Sequence, residues 1–148
     1  MQVSQKSLYA LRAVFELAKR NDQGPIKTVE IAKAQAIPKR FLETILSQLK
    51  QGGFVESCRG SNGGYVLTHS PEDLTVAEVI QFIGGPIGPI TCLLDKAKVN
   101  ECPLRTRCIF KGMWKRIHNA ISHVFNSTTF SDLVRQEREL TTPCITSE

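Results

Sequence analysis

The sequence of 148 residues contains no apolar run that approaches the length of a membrane span. Residues 1–20 also lack the uninterrupted apolar core of a secretory signal peptide. We therefore expect a cytoplasmic protein that has no membrane partner. That compartment keeps thiols reduced, so the five cysteines are not expected to form a disulfide framework.

No catalytic constellation stands out in the sequence. There is neither a phosphate-binding glycine loop nor the Cys-His or Ser-His-Asp spacing that serves nucleophilic catalysis. With 41% hydrophobic and 22% charged residues, the composition is that of an ordinary globular protein. We therefore expect that the protein is not an enzyme.

The net charge of +5 is distributed unevenly along the chain. Residues 1–70 contain ten Lys and Arg against five Asp and Glu, whereas residues 71–148 contain nine of each class. The whole excess lies in the first half, as expected when one part of a chain faces nucleic-acid phosphates.

A recognition helix is predicted between Pro38, which suits the first helical position, and the stop at Gly52-Gly53. Apolar residues at three- and four-residue steps give this helix one core-facing side. They are Phe41, Leu42, Ile45, Leu46 and Leu49. The opposite side has hydrogen-bonding side chains of the types that meet base edges and phosphates in a major groove. They are Lys39, Arg40, Glu43, Thr44, Ser47 and Gln48.

Two short strands are predicted directly after this helix, at residues 54–58 and 65–68. The turn between them, from Arg59 to Gly64, is basic, and its glycines allow positive φ and close backbone approach. A hairpin after a helix also occurs in small α/β domains, so the basic tip is the informative feature. Helix, strand, basic turn and strand follow the order of a winged helix-turn-helix, with Arg59 placed to enter a minor groove.

Two helices are predicted before the recognition helix. The segment from Ser7 to Arg20 has an apolar face, and Gly24-Pro25 ends it. Thr28 is the predicted N-cap of a short helix from Val29 to Gln35, which would cross the DNA backbone in a helix-turn-helix.

Three helical segments are predicted after the wing. Thr75 and Glu78 form a capping box for a helix over residues 76–83, and Pro86 to Pro89 form a linker. A long helix over residues 109–126 has a bulky apolar seam, which favours packing against a second copy of the chain. Packing on its own domain is the alternative. A short capped helix over residues 129–133 and a loose tail from Leu140 complete the prediction.

Three cysteines, Cys92, Cys102 and Cys108, lie in the loop before the long helix. Thiolates are soft ligands, so zinc and an iron-sulfur cluster are the candidates, although neither interval is the two-residue spacing of a zinc knuckle. Arg105, Arg107 and Lys111 would offset the charge of a thiolate-bound cluster. Three free cysteines packed in a loop are the alternative. No fourth ligand is evident, and a partner chain is a possible source. Cys58 and Cys144 are taken as bystanders.

Several segments together resemble the Rrf-two family of bacterial winged-helix repressors, and the resemblance covers nearly the whole chain. They are SLYALRA at 7–13, RGSNGGYVL at 59–67, LTVAEVI at 74–80, the three loop cysteines, and a Trp-bearing helix followed by TFSDLV at 129–134. The RGxxGGYxL wing is the strongest of these signatures.

The resemblance implies a homodimer that binds a palindromic operator in double-stranded DNA, with the long helices crossing at the interface. It implies a mainly α fold with a small β-hairpin wing. The winged helix-turn-helix DNA-binding domain would occupy 1–85, the cluster loop 86–108, the dimerisation helix and a short C-terminal helix 109–140, and the tail 141–148. The residues predicted to contact DNA are Thr28, Pro38, Lys39, Arg40, Phe41, Glu43, Thr44, Ser47, Arg59, Ser61, Asn62, Gly63, Gly64 and Tyr65.

The resemblance also implies an iron-sulfur cluster, because Cys92, Cys102 and Cys108 fall on the ligand cysteines of the IscR, NsrR and RirA types. The sequence departs from these types at the fourth ligand. Lys111 stands where the IscR type has a histidine, and a protonated lysine cannot ligate. Leu8 stands where the NsrR type has an aspartate in the partner's first helix. The run Cys102-Pro103-Leu104 resembles the NsrR and RirA types, and this resemblance favours 4Fe-4S over 2Fe-2S.

We therefore predict a repressor whose operator binding is controlled by a cluster that senses iron, redox state or nitric oxide, with an apo form also accessible. The alternatives are a metal-free thiol and disulfide switch and a winged-helix protein that is regulated by a partner protein.

Overall fold

Seven α-helices and a two-stranded hairpin make up residues 3–94 and 102–141, the part of the chain that the computed structural model describes. This confirms the predicted mainly α fold with a hairpin wing. The predicted tail, with Cys144, lies outside the described residues except for Thr141. The elements are α1 Gln5–Lys19, a 3-10 turn Asn21–Gln23, α2 Thr28–Ala34, α3 Lys39–Gln51, β1 Val55–Cys58, β2 Gly64–Leu67, α4 Val76–Gly84, α5 Thr91–Leu94, α6 Lys111–Ser127 and α7 Phe130–Thr141.

The hydrophobic core packs α1 against α3, α4 and α7, and it includes Ile31 of α2 and Val55 of β1. Alanines on α1, including Ala10 and Ala13 with no exposed surface, let α3 approach closely. Four of the five predicted core-facing residues of α3 are buried, and burial of each such side chain contributes about 1.5–3 kcal/mol. The prediction was wrong for Phe41, which is 60% exposed although Leu42 beside it has no exposed surface, because Phe41 lies at the edge of the apolar face of α3.

A buried carboxylate fixes the turn between α2 and α3. Glu16 is 2% exposed and accepts from Gln35 Nε2 at 2.7 Å, while Arg20 Nε lies 2.7 Å from its other oxygen. These contacts satisfy a charge that would otherwise be costly to bury. The turn itself needs a left-handed residue, which is Ala36 with a φ of 51°. Glu16 therefore ties α1 to the helix-turn-helix.

Both helices of the helix-turn-helix begin one residue away from the predicted start. The N-cap of α2 is Lys27 and not Thr28, because the Glu30 carboxylate accepts from the Lys27 N–H at 3.1 Å. Pro38 is the N-cap of α3, and its ψ of 127° keeps it outside the helix, so Lys39 takes the first helical position.

The hairpin pairs Val55 with Leu67 and Cys58 with Gly64 in antiparallel register, within one residue of the predicted strands. A third segment joins it through Ile26, which exchanges two backbone hydrogen bonds with Tyr65 at 3.0 and 2.9 Å. The wing is therefore tied to the loop before α2.

A junction between residues 74–76 and 128–130 joins the start of α4 to the start of α7. The predicted Thr75–Glu78 capping box is confirmed, with Thr75 N–H donating to Glu78 Oε2 at 2.8 Å. Beside it, Val76 N–H donates to the Thr128 carbonyl and Phe130 N–H to the Leu74 carbonyl, both at 3.0 Å.

The last helix is longer than predicted. The segment expected at residues 129–133 continues to Thr141, so Leu140 belongs to α7 and not to a loose tail. The added length packs along α1, where Lys19 pairs with Glu137 at 2.8 Å. Phe130 has no exposed surface and completes the core of the winged domain.

Replacement of Phe130 by alanine should lower the free energy of unfolding by about 3–5 kcal/mol, because it leaves a cavity in the core. Urea denaturation at fixed protein concentration measures this loss. The matched control is Leu140→Ala, 87% exposed on the same helix, which should cost less than about 0.5 kcal/mol. A similar small cost for Phe130→Ala would contradict the docking of α7.

Stability should depend on the ionisation of Asp132. The backbone N–H and hydroxyl of Thr129 donate to this carboxylate at 3.1 and 2.9 Å, and together with Arg135 at 2.6 Å they lower its pKa below the ordinary 3.8. Its stabilisation is therefore complete above 3.8 and is lost as the pH falls through the lower folded-state value. Asp132→Asn should lower the midpoint of thermal unfolding at neutral pH. The difference in midpoint between the variant and the wild type should disappear in acid. Asp73→Asn, in an exposed turn, is the control, and a pH-independent gap for Asp132→Asn would contradict the assignment.

Candidate functional site

The polar side of α3 forms a continuous solvent-facing surface. Lys39, Arg40, Glu43, Thr44 and Ser47, all predicted to contact DNA, are exposed. Lys39 Nζ and Glu43 Oε1 lie 3.8 Å apart with more than half of each side chain exposed, so this ion pair contributes little and is easily exchanged for another partner. The structure brings these five residues together on one helix face.

The wing follows this helix in the sequence and has a basic residue, Arg59, at its tip. Arg59, Ser61 and Asn62 are exposed, and none of the carboxylates in the described part of the chain forms an ion pair with Arg59. Tyr65 is half-buried because its backbone pairs with Ile26. Thr28 is also half-buried, at the first position of α2.

The two adjacent wing glycines have a packing role of their own. A Cβ at Gly63 would lie 2.4 Å from the Cys58 carbonyl oxygen, and one at Gly64 would lie 2.3 Å from that of Ile26. Both clashes are with backbone atoms and not with flexible side chains. The folded wing therefore requires both glycines, while their contact with DNA stays a prediction.

An aromatic contact connects the end of α3 to α4, and the sequence patterns did not predict it. A Cβ at Gly52 would lie 2.4 Å from the Phe82 ring, which shows that the ring rests on the glycine backbone. The same ring lies 5.0 Å from that of Phe54, centroid to centroid. Because Phe82 is on α4, this ring joins α4 to the end of α3.

The three loop cysteines line one cavity of about 280 Å³, and all three are free thiols. Cys92 is held on α5, a short helix that the sequence did not predict, and Cys108 lies just before α6. The lining residues are Ile90, Cys92, Leu93, Cys102, Arg105, Cys108 and Lys111. Of the three cationic residues predicted to offset the charge of a cluster, Arg105 and Lys111 line this cavity and Arg107 does not. Residues 95–101 of the predicted loop lie outside the described residues.

The histidines do not join this cavity wall. His118 lies in a neighbouring cavity with Gln81 and Ser122, and its Nδ1 is buried without a hydrogen-bond partner in the described structure. Within residues 3–94 and 102–141, no group of three His, Cys, Asp or Glu side chains converges as around a single metal ion. The three thiols line a shared cavity without forming such a group. No described helix is both long and apolar enough to cross a membrane.

A three-helix core whose second and third helices form a helix-turn-helix, followed by a hairpin, defines a winged helix-turn-helix protein. The sequence model of the Rrf2 (Rrf-two) family, described as an iron-dependent transcriptional regulator, matches residues 3–136. The chain belongs to the Rrf2 family of DNA-binding transcriptional regulators, which are not enzymes.

Individual members are similar over most of their length. The regulator CymR of Bacillus subtilis is 36% identical over 133 residues, which cover 90% of this chain and 89% of CymR. The solved structure of CymR from B. subtilis, called the global cysteine regulator, has a TM-score of 0.75 with 33% identity and covers 92% of this chain and 98% of that one. IscR of T. potens has a TM-score of 0.77 with 27% identity, over 96% and 92% of the two chains.

Proposed function

We propose that this protein is a dimeric repressor whose operator binding is controlled by an iron-sulfur cluster held by Cys92, Cys102 and Cys108. The observation that carries the proposal is the single cavity that these three thiols share. In this proposal residues 1–85 bind DNA, 86–108 hold the cluster and 109–140 supply the dimer helix, with α7 returning to the core of the first unit.

The residues of the cavity suit such a cluster. Iron-sulfur clusters are held by cysteine thiolates, and these three cysteines line one cavity of about 280 Å³. The positive side chains of Arg105 and Lys111 in the wall would offset the charge of a thiolate-bound cluster. When bound, the cluster would provide a reactive iron centre whose presence or chemical state depends on available iron, oxidants or nitric oxide. The resemblance to the NsrR and RirA types supports 4Fe-4S over 2Fe-2S.

The protein side of the switch is the chain between α4 and α6. Thiols held together would fix the course of residues 86–108, whereas thiols that are not held would leave α6 less constrained relative to α4. Phe82 on α4 rests on Gly52 at the end of α3 and against Phe54 beside the wing. We infer that a shift of α4 reaches the recognition helix through this aromatic contact.

The dimer would form through the apolar side of α6. None of the described residues of α6 is buried within the chain, and four large apolar side chains in or just before it are strongly exposed. They are Ile109 at 86%, Phe110 at 59%, Met113 at 45% and Val124 at 57%. A second copy that covers this surface would place two recognition helices on half-sites about one DNA turn, roughly 34 Å, apart.

The DNA contacts would come from α3 and the wing. The exposed residues Lys39, Arg40, Glu43, Thr44 and Ser47 are proposed to face the major groove, and Arg59 with Ser61 and Asn62 the minor groove. Thr28, Pro38, Phe41 and the residues from Gly63 to Tyr65 complete the proposed surface.

A metal-free thiol switch is the second candidate. The described cavity wall provides three thiols and no fourth protein ligand, and a relative is called a global cysteine regulator. In that case a disulfide among the three cysteines would constrain the same loop. Control by a partner protein would instead leave the cysteines without a role.

Anaerobically purified protein should contain iron and acid-labile sulfide in near-equal amounts, and the number per chain separates 2Fe-2S from 4Fe-4S. Cys→Ala at position 92, 102 or 108 should abolish loading and change operator affinity. Cys58→Ala, at an exposed wing thiol, is the matched control and should keep the metal. Zinc, or no metal in a protein that still binds DNA, would contradict the cluster and favour the thiol switch; mass mapping after oxidation would then locate the disulfide.

Arg59→Ala should weaken operator binding by about tenfold or more, since loss of a groove contact costs about 1–3 kcal/mol, while iron loading stays unchanged. Fluorescence anisotropy over a salt series measures the affinity. Arg138→Ala, on α7, removes the same charge away from the helix-turn-helix and should have little effect. Loss of iron in Arg59→Ala, or equal weakening in both variants, would contradict a separate DNA-binding unit.

A further inference from the structure

An apolar groove of about 480 Å³ opens beside the first turn of α3. It lies between α1 and α3, and its wall is mainly apolar. The lining residues are Gln5, Lys6, Tyr9, Phe41, Thr44 and Ile45. Thr44 also belongs to the polar surface of α3, so the groove and that surface are continuous.

Phe41 is the unusual member of this wall. It is the third residue of α3, at the end of the recognition helix that meets base edges in helix-turn-helix proteins. Its side chain is 60% exposed, although it follows the apolar periodicity of the helix. The ring is supported from one side by Tyr9, with ring centroids 6.4 Å apart and planes at 49°. An exposed aromatic ring that is held in place is suited to contact an apolar group.

The charge around the groove indicates which kind of partner would carry that apolar group. Among the described residues that line it, Lys6 carries the one charge, a positive one. Lys39 and Arg40 lie within one turn of Phe41, so that with the nearby carboxylate of Glu43 the charge beside the groove is still net positive. The partner should therefore be anionic and carry a small apolar group. DNA satisfies both conditions, because the thymine 5-methyl group projects into the major groove and phosphates flank it.

We propose that this groove receives the 5-methyl group of one thymine in each operator half-site. Phe41 makes the contact, Tyr9 is its positioning residue, and Lys6 faces an adjacent phosphate. The inference rests on the proposed DNA-binding role of α3. It adds a sequence preference that the hydrogen-bonding residues of the helix do not provide.

Replacement of thymine by uracil tests the contact, since it removes the methyl group and leaves the hydrogen-bonding edge unchanged. Operator duplexes selected from random sequence by the full-length protein are resynthesised with uracil at each thymine in turn. One position per half-site should weaken binding about fourfold, the amount expected for one buried methyl group. Phe41→Ala should bind the thymine and uracil duplexes equally, and Phe41→Leu should keep part of the preference.

Two further variants separate the roles within the groove. Tyr9→Ala should reduce the thymine preference without a change of salt dependence. Lys6→Gln should lower the salt slope by about one and keep the thymine preference, because a phosphate contact is insensitive to base identity. Leu140→Ala is the control, because it removes an exposed apolar side chain on α7, away from the groove. It should leave both the thymine preference and the salt dependence unchanged. Unfolding midpoints establish that each variant is folded.

Each other outcome overturns a different statement. Equal binding of every uracil duplex by the wild type would overturn the thymine contact while DNA binding stands. A preference that persists in Phe41→Ala would assign the contact to another side chain. A change of oligomeric state in Phe41→Ala would mean that a second copy of the chain fills the groove. Failure of the wild type to select any sequence would overturn the proposed DNA-binding role of α3 itself.

Discussion

The backbone junction between residues 74–76 and 128–130 is the constraint on which the rest of the structure depends. Two hydrogen bonds of 3.0 Å bring the start of α4, the end of α6 and the start of α7 to one point. Helix α6 must therefore leave the winged domain and return to it, and Phe130 enters the core immediately afterwards. Although α6 contacts α4, none of its described residues is buried, so much of its apolar surface stays exposed.

Features set by neighbouring residues were predictable from the sequence. The Thr75–Glu78 capping box, the stop at Gly52 and the spacing of Leu42, Ile45, Leu46 and Leu49 depend on local rules of helix formation. The predicted helix starts were wrong by one residue at Thr28 and Pro38. The cap of α2 depends on one side-chain hydrogen bond, and that of α3 depends on one backbone angle. The full length of α7 was not predictable, because it depends on packing against α1 and not on its own periodicity.

The candidate site shows the same division. Proximity in the sequence was enough to predict that the three thiols share a site, whereas α5 and the cavity wall depend on contacts with distant segments. The apolar periodicity of α3 assigned Phe41 to the core, because a periodic pattern identifies a helix face but not how wide a part of that face the neighbouring elements cover. The contact of Phe82 with Gly52 left no sequence signal, since nothing local requires an aromatic ring there.

The packing of Gly63 and Gly64 has a consequence for how such proteins are recognised and how they diverge. Both glycines in the most distinctive stretch of the chain are required by backbone oxygens of Cys58 and Ile26, whatever the wing binds. We expect a descendant that has lost its operator to keep this glycine pair, because its hairpin must still fold. Arg59, which is exposed and supports no packing, would be free to drift. Under the proposed contact of Arg59 with DNA, the arginine is therefore a better marker of retained operator binding than the glycines that make the motif conspicuous.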